Sequence, residues 1–287
     1  MCRTDISPIG AVARPWIKAE RRDFETVYMT LVNEGASHDE QAMNSSTERS
    51  PQRYARLGGA LYLAIIALGM FGELFVRGTL VVSGNAAATA DNIEASQMLW
   101  RMGIAGDLLM HVFDVPVIVV LYLLLKPVSK SLALLATLIN LIQTAVLVAN
   151  KLSLLVPLYL LENSGYLKEF SSAQLDSLSY LAIKSHGFGF GVGLIFFGFA
   201  CLVRGYLIFR SGYLPKALGV LISVAGSSYL INSFALLLAP AFAASIFPVI
   251  LVPAFVGELS LCLWLIVKGV NLERWQQRLA LLQGTPG

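Results

Sequence analysis

The sequence predicts an all-α protein: a six-transmembrane-helix bundle preceded by a polar N-terminal tail that is disordered or only locally helical. Three observations carry this expectation. Apolar residues make up 56% of the 287-residue chain and charged ones only 14%, where soluble domains carry about a quarter charged residues. Six apolar runs between Leu57 and Val267 are each long enough to cross a hydrocarbon core about 30 Å thick at about 1.5 Å per residue. Runs such as VPVIVVLYLLL and LALLATLINLI lack the polar alternation of a barrel strand. Helices, which satisfy their own backbone hydrogen bonds, are therefore the spanning element.

Residues 1–48 form the polar tail, without an apolar core of the kind a signal peptide needs. Met43 opens the stretch MNSSTERSPQRYARLGG, a short basic lead into the first span, so the residues before it are expected to be a start-site extension. Residues 49–270 form the membrane domain, with apolar runs at Leu57 to Val76, Ile104 to Leu125, Leu132 to Ala149, Leu181 to Val203, Leu218 to Leu238 and Ile246 to Val267. A Lys-Pro pair at Lys126 closes the second run, and Gly and Pro punctuate the segment between the fourth and fifth. Two longer loops follow the first and third runs. Thr89 is expected to cap a helix leading into the second span, and Ser171 with Gln174 has the spacing of a capping box. Residues 271–287 are expected to be a short tail.

Charge sets the orientation. Eleven Lys and Arg residues fall on the side of the termini (Arg49, Arg53, Arg56, Lys126, Lys130, Arg204, Arg210, Lys216, Lys268, Arg274, Arg278), and five on the other (Arg77, Arg101, Lys151, Lys168, Lys184). The positive-inside rule puts both termini in the cytoplasm. Read as topology signals, these basic residues give no nucleic-acid surface. Cys2 lies in the tail, and Cys201 and Cys262 lie inside spans, where a free cysteine packs as a small hydrophobe and no disulfide framework is implied.

Ionisable groups in a bilayer are costly, about 2.5–3.5 kcal/mol each on insertion scales, so each needs a reason. Asp107, His111 and Asp114 share one face of the second span. Asn140, Gln143, Thr144, Asn150 and Lys151 form a stripe on the third. The six-residue turn between these spans makes them antiparallel, and pairing Leu125 with Ser131 puts Asp114 near Gln143, His111 near Thr144 or Ala145, and Asp107 near Asn150 and Lys151. By depth, Glu73, Asp107, His111, Lys151, His186 and Asn232 fall in the outer half of the membrane, Asp114 near the middle and Glu258 deeper. These are the candidate residues for a ligand or an ion. If a metal binds, Asp107, His111 and Asp114 are its ligands; no particular cofactor is specified.

Two further segments bear on chemistry. HGFGFGVGLIFFGFA, starting at His186, admits no dinucleotide-binding register and has no preceding strand; its glycines suit close helix packing or a hinge. Gly226 to Ser228 reads GSS, which with His186 suggests an intramembrane dyad, yet no oriented base or oxyanion hole can be placed.

Taken together, RLGGALYLAII with Glu73, the loop AAATADNI, RMGIAGDLLMHVFDV, HGFGFGVGLIFFG and above all CLVRGYLIFRSGYLPKALGVL resemble the DUF4386 family of bacterial multi-pass membrane proteins, from about Tyr54 to Val270. The resemblance implies an integral membrane domain in a bacterial plasma membrane and no activity. Three functions stay open: binding, sensing or transport of a small polar solute or ion through an outward-facing cavity; a metal-dependent membrane enzyme; and a structural or partner-binding subunit whose polar stripes are interhelical glue.

Overall fold

The computed structural model of the chain describes residues 51–162 and 165–283; the expectations for the tail 1–48, including a start at Met43, lie outside them. Nine α-helices are described, with no strand among the described residues: α1 (Pro51–Leu80), α2 (Ala86–Ala95), α3 (Gln97–Leu125), α4 (Lys130–Leu160), α5 (Ser172–Ser211), α6 (Lys216–Leu238), α7 (Pro240–Ile246), α8 (Val252–Val267) and α9 (Leu272–Gln283). Six stretches, α1, α3, α4, α5, α6 and Val249–Val267, are long and apolar enough to cross a membrane.

Five of the six helices outrun or match the apolar runs, because a helix continues through polar residues until its backbone is capped or broken; the sixth begins later than its run, at Val249. Ser171 accepts from the Gln174 amide while the Gln174 side chain accepts from the Ser171 amide, the expected capping box at the start of α5. That helix then runs 40 residues, about 60 Å, and stops at Gly212, whose φ of +78° is the left-handed conformation a helix end needs. The longer loop expected after the third run is largely helical, through Leu152–Leu160 and from Ser172 onward. Thr89 does not cap α2: Asn85 does, accepting from the Ala88 amide, while buried Thr89 donates to the Asn85 carbonyl at 2.7 Å. The helix forms one turn earlier because Asn is a strong N-cap. The expected C-terminal tail is mostly α9, docked through buried Trp275 against Tyr213, with ring centroids 4.8 Å apart.

The spanning helices close into a ring in chain order: α1 on α3, α3 on α4, α4 on α5, α5 on α6, α6 on α8, and α8 on α1. Lipid offers little hydrophobic drive for helix association, so close approach of small residues has to supply it. On α5 and α6, Gly198 faces Gly226 and Gly205 faces Gly219 so closely that a methyl group at Gly205 would stand 2.7 Å from the Gly219 carbonyl oxygen. In the expected glycine cluster, Gly189 and Gly193 receive Asn150 and Leu147 of α4, and Gly191 receives Leu236 of α6.

Polarity is inverted relative to a soluble core. On α3, Asp107 and His111 are 1% and 3% exposed, whereas Val112 is 62% exposed, the pattern of a helix whose outward face meets lipid. Buried apolar side chains gather in two layers. One holds Leu121, Leu124, Leu207, Ile208, Ile222, Leu261 and Leu265, beside the short turns. The other holds Val76, Trp100, Ile104, Leu154 and Ile183, toward the opposite end. Along α3 and α4 the polar residues 107–114 and 140–151 fall between the two. Cys201 and Cys262 are buried free thiols in the first layer, the Cys262 Sγ donating to the Gly59 carbonyl at 3.2 Å.

Candidate functional site

The polar residues divide into two groups. The first is built on two interruptions of helical regularity. In α1 the stretch Phe71–Arg77 is a π-helical turn, a geometry common at functional sites, and it turns Arg77 onto α3. Arg77 donates Nη1 to Asp107 Oδ2 and Nε to Glu73 Oε2, both at 2.7 Å. Gly72 makes room: a methyl group there would stand 2.3 Å from Asp107 Oδ1. In α4 the helix breaks at Lys151 between Lys130–Asn150 and Leu152–Leu160, and Lys151 Nζ reaches Asp107 Oδ2 at 2.9 Å and His186 Nε2 at 3.2 Å. Facing an ammonium, that nitrogen serves as the acceptor. Asn150 donates to the His186 carbonyl at 2.8 Å.

Asp107, Lys151 and His186 are buried and Arg77 is half-buried, while the Glu73 side chain is 64% exposed. Two cations meet two carboxylates, so the formal charges cancel and each buried charge has a partner. A saturated network of this kind ties α1, α3, α4 and α5 together.

The second group surrounds a cavity of about 230 Å³ in the middle of the ring, lined by side chains from all six spans. His111 and Asp114 of α3, Asn140 and Gln143 of α4, Arg204 of α5, Tyr229 of α6 and Glu258 of α8 face it, with Tyr62 of α1. Thr144 donates to Asp114 Oδ2 at 2.8 Å, and Asn140 Nδ2 to Gln143 Oε1 at 2.6 Å. Tyr229 donates its hydroxyl to Glu258 Oε1. Among the described residues, three buried nitrogens have no hydrogen-bond partner: both ring nitrogens of His111 and Nη2 of Arg204. His111 Nδ1 stands 3.8 Å from Asp114 Oδ2, too far for a hydrogen bond.

The antiparallel register of α3 and α4 is as expected at Asp107 and Lys151, and one residue off at Asp114, whose partner is Thr144 rather than Gln143. Seven residues separate both pairs on each helix, so the stripes stay in step. The single cavity expected from spans two and three is instead two sites, because Arg77 and Lys151 close over Asp107. Asn232 is half-buried and belongs to neither group.

Sequence reasoning missed Arg77 and Arg204, taking both as loop residues that signal topology. Arg77 stands four residues after Glu73, a helical ion-pair spacing that was there to be read. Arg204 lies seven residues inside the end of α5; the apolar run stops at Val203, but the punctuation that ends the helix is Gly212. Among the described residues no three His, Cys, Asp or Glu converge into a metal-holding group, so Asp107, His111 and Asp114 do not form one. The suggested dyad is not assembled either: Ser228 donates to the Ala225 carbonyl, and His186 faces Lys151.

Comparison with known proteins places these features. A family model described as a domain of unknown function, DUF4386, matches residues 57–269, which spans every residue of both sites. A protein of Archaeoglobus fulgidus described as uncharacterized is 31% identical over 170 residues, covering 59% of this chain and 85% of the relative. No solved structure matches.

Proposed function

The chain belongs to the DUF4386 family, and from that premise we propose that it is a multi-pass membrane protein whose central cavity binds, senses or moves a small polar solute or ion. The observation that carries this reading is the set of unpartnered nitrogens on His111 and Arg204, facing a cavity to which all six spans contribute. An unsatisfied polar group inside a membrane protein costs several kcal/mol, which a scaffold tolerates where a ligand supplies the missing partner. The cavity is smaller than the roughly 300–1,000 Å³ of pockets for drug-sized ligands, so its occupant is small.

With Arg204, Arg77 and Lys151 set aside because they are sheltered in the bundle, the ten remaining basic residues on the side of the termini, against Arg101, Lys168 and Lys184 on the other, support a plasma-membrane orientation with both termini cytoplasmic. A reporter fused after Gly287 should be cytoplasmic; an extracellular reporter refutes that orientation.

Binding is tested with the full chain in lipid nanodiscs, measuring Tm with acetate, tetramethylammonium, glycine betaine and glycerol. At least one of these small solutes raises the Tm of the wild type, and His111→Phe, which fills the cavity, removes the rise. A panel without any effect overturns the reading. A structural role is the second reading, favoured by the saturated Asp107 network; under it, Asp107 variants melt lower and cavity variants change nothing but stability.

A further inference from the structure

We infer that the solute is a small zwitterion, a carboxylate joined to an ammonium group, of amino-acid or betaine size; this rests on the solute-binding reading of the cavity. The charged groups facing the cavity are Asp114 on α3, Arg204 on α5 and Glu258 on α8, three alternate helices of the six-membered ring. Arg204 is 5% exposed with Nη2 unpartnered, and no ion pair joins it to Asp114 or Glu258 among the described residues. The cavity thus keeps one cation apart from two carboxylates.

Partner matching selects the ligand. An anion bound to Arg204 alone would add its charge to a cavity that already holds Asp114 and Glu258, and a cation bound to the carboxylates alone would leave Arg204 Nη2 without an acceptor. Either leaves a buried group poorly matched in an interior of low dielectric, where that is expensive. A zwitterion adds no net charge and offers a partner to both poles. Its carboxylate suits the planar fork of Arg204. Its ammonium suits the carboxylate side, where Tyr62, Tyr229 and Phe255 also line the wall and aromatic faces attract a cation. Unpartnered His111, on the same helix as Asp114, can donate to or accept from the solute as its tautomer requires.

Isothermal titration of the full chain in nanodiscs with glycine, glycine betaine, acetate, tetramethylammonium and glycerol, at constant ionic strength, tests this. Glycine or glycine betaine should bind at least about tenfold more tightly than acetate or tetramethylammonium. It should also raise Tm by about 2 °C or more at saturation. Arg204→Gln should weaken that zwitterion about tenfold or more, and Arg204→Lys should weaken it less. If acetate, tetramethylammonium or glycerol binds as tightly as the zwitterions, or if Arg204→Gln leaves zwitterion affinity unchanged, the zwitterion assignment fails while the solute-binding cavity stands. If no probe binds, both fail. Should Arg204→Gln not fold, the wild-type series decides alone.

Discussion

Asp107→Asn is the sharpest perturbation of the buried ion network. Asp107 is 1% exposed and a single oxygen, Oδ2, accepts from both Arg77 Nη1 at 2.7 Å and Lys151 Nζ at 2.9 Å. Those two distances to one atom place the cationic nitrogens at most 5.6 Å apart (2.7 + 2.9). Replacing the carboxylate by an amide leaves two buried cations facing each other. At an effective dielectric constant of about 20 their repulsion is about 3 kcal/mol, within the roughly 3–5 kcal/mol of breaking a buried pair by removing one partner. Exposed Glu73 relieves Arg77 only slightly. At about 2–4 °C per kcal/mol, Tm should fall about 6–12 °C. Lys151→Met removes one of the two cations and leaves Asp107 with Arg77, costing about 1 kcal/mol. In the double variant the repulsion is gone, so the cycle should show about 2–3 kcal/mol of coupling. Reversible unfolding in detergent micelles, followed by circular dichroism, measures all four proteins. Asp107→Asn within about 0.5 kcal/mol of the wild type, or strict additivity in the double variant, refutes the reasoning.

Gly72→Ala drives a methyl group to 2.3 Å from Asp107 Oδ1 and should destabilise by about 1–3 kcal/mol through overpacking, read by the same unfolding assay. Gly187→Ala is its converse: nothing stands within 4 Å of a methyl group there, so α5 should gain about 0.5–1 kcal/mol of helical preference, and a loss of stability would mean that this surface is packed. Trp100→Phe removes the bond from Nε1 to the Leu154 carbonyl at 2.8 Å and should cost about 0.5–1.5 kcal/mol, the net contribution of one buried hydrogen bond. Tyr213, in the turn after α5, donates to the Leu124 carbonyl, and burial pushes its phenol above the ordinary value of about 10. A raised folded value means the stabilisation is present below pH about 10 and declines as pH rises from there toward the folded value. Between pH 9 and 11, Tyr213→Phe should therefore lose less stability than the wild type; parallel losses would count against this.

The class of fold, the number of spans and the antiparallel stripes on α3 and α4 were legible because lipid imposes them on composition: a helix that crosses a bilayer must be apolar for about 20 residues, and each polar exception stands out. Asp107 opposite Lys151 follows from turn length and rise per residue, both local quantities. Element ends were less legible. The helices continue past their apolar runs to Leu80, Leu160 and Ser211, since backbone capping, and not hydropathy, terminates them. That is why Arg77 and Arg204 were taken for loop residues, and why their roles were invisible.

By itself, the sequence determined that six helices span, that the basic residues segregate to one side and that a handful of polar side chains must be sheltered from lipid, because each of these depends on transfer of residues between water and hydrocarbon. Only the tertiary structure decided how those side chains are shared. Closing the ring in chain order brings Arg77 and Lys151 onto Asp107 and so removes it from the cavity, and the same closure sets Arg204 and Glu258, distant in sequence from His111 and Asp114, around one void. Which polar group meets which depends on helix rotation and on close glycine contacts such as Gly72 against Asp107, and these are properties of packed surfaces that no hydropathy run records.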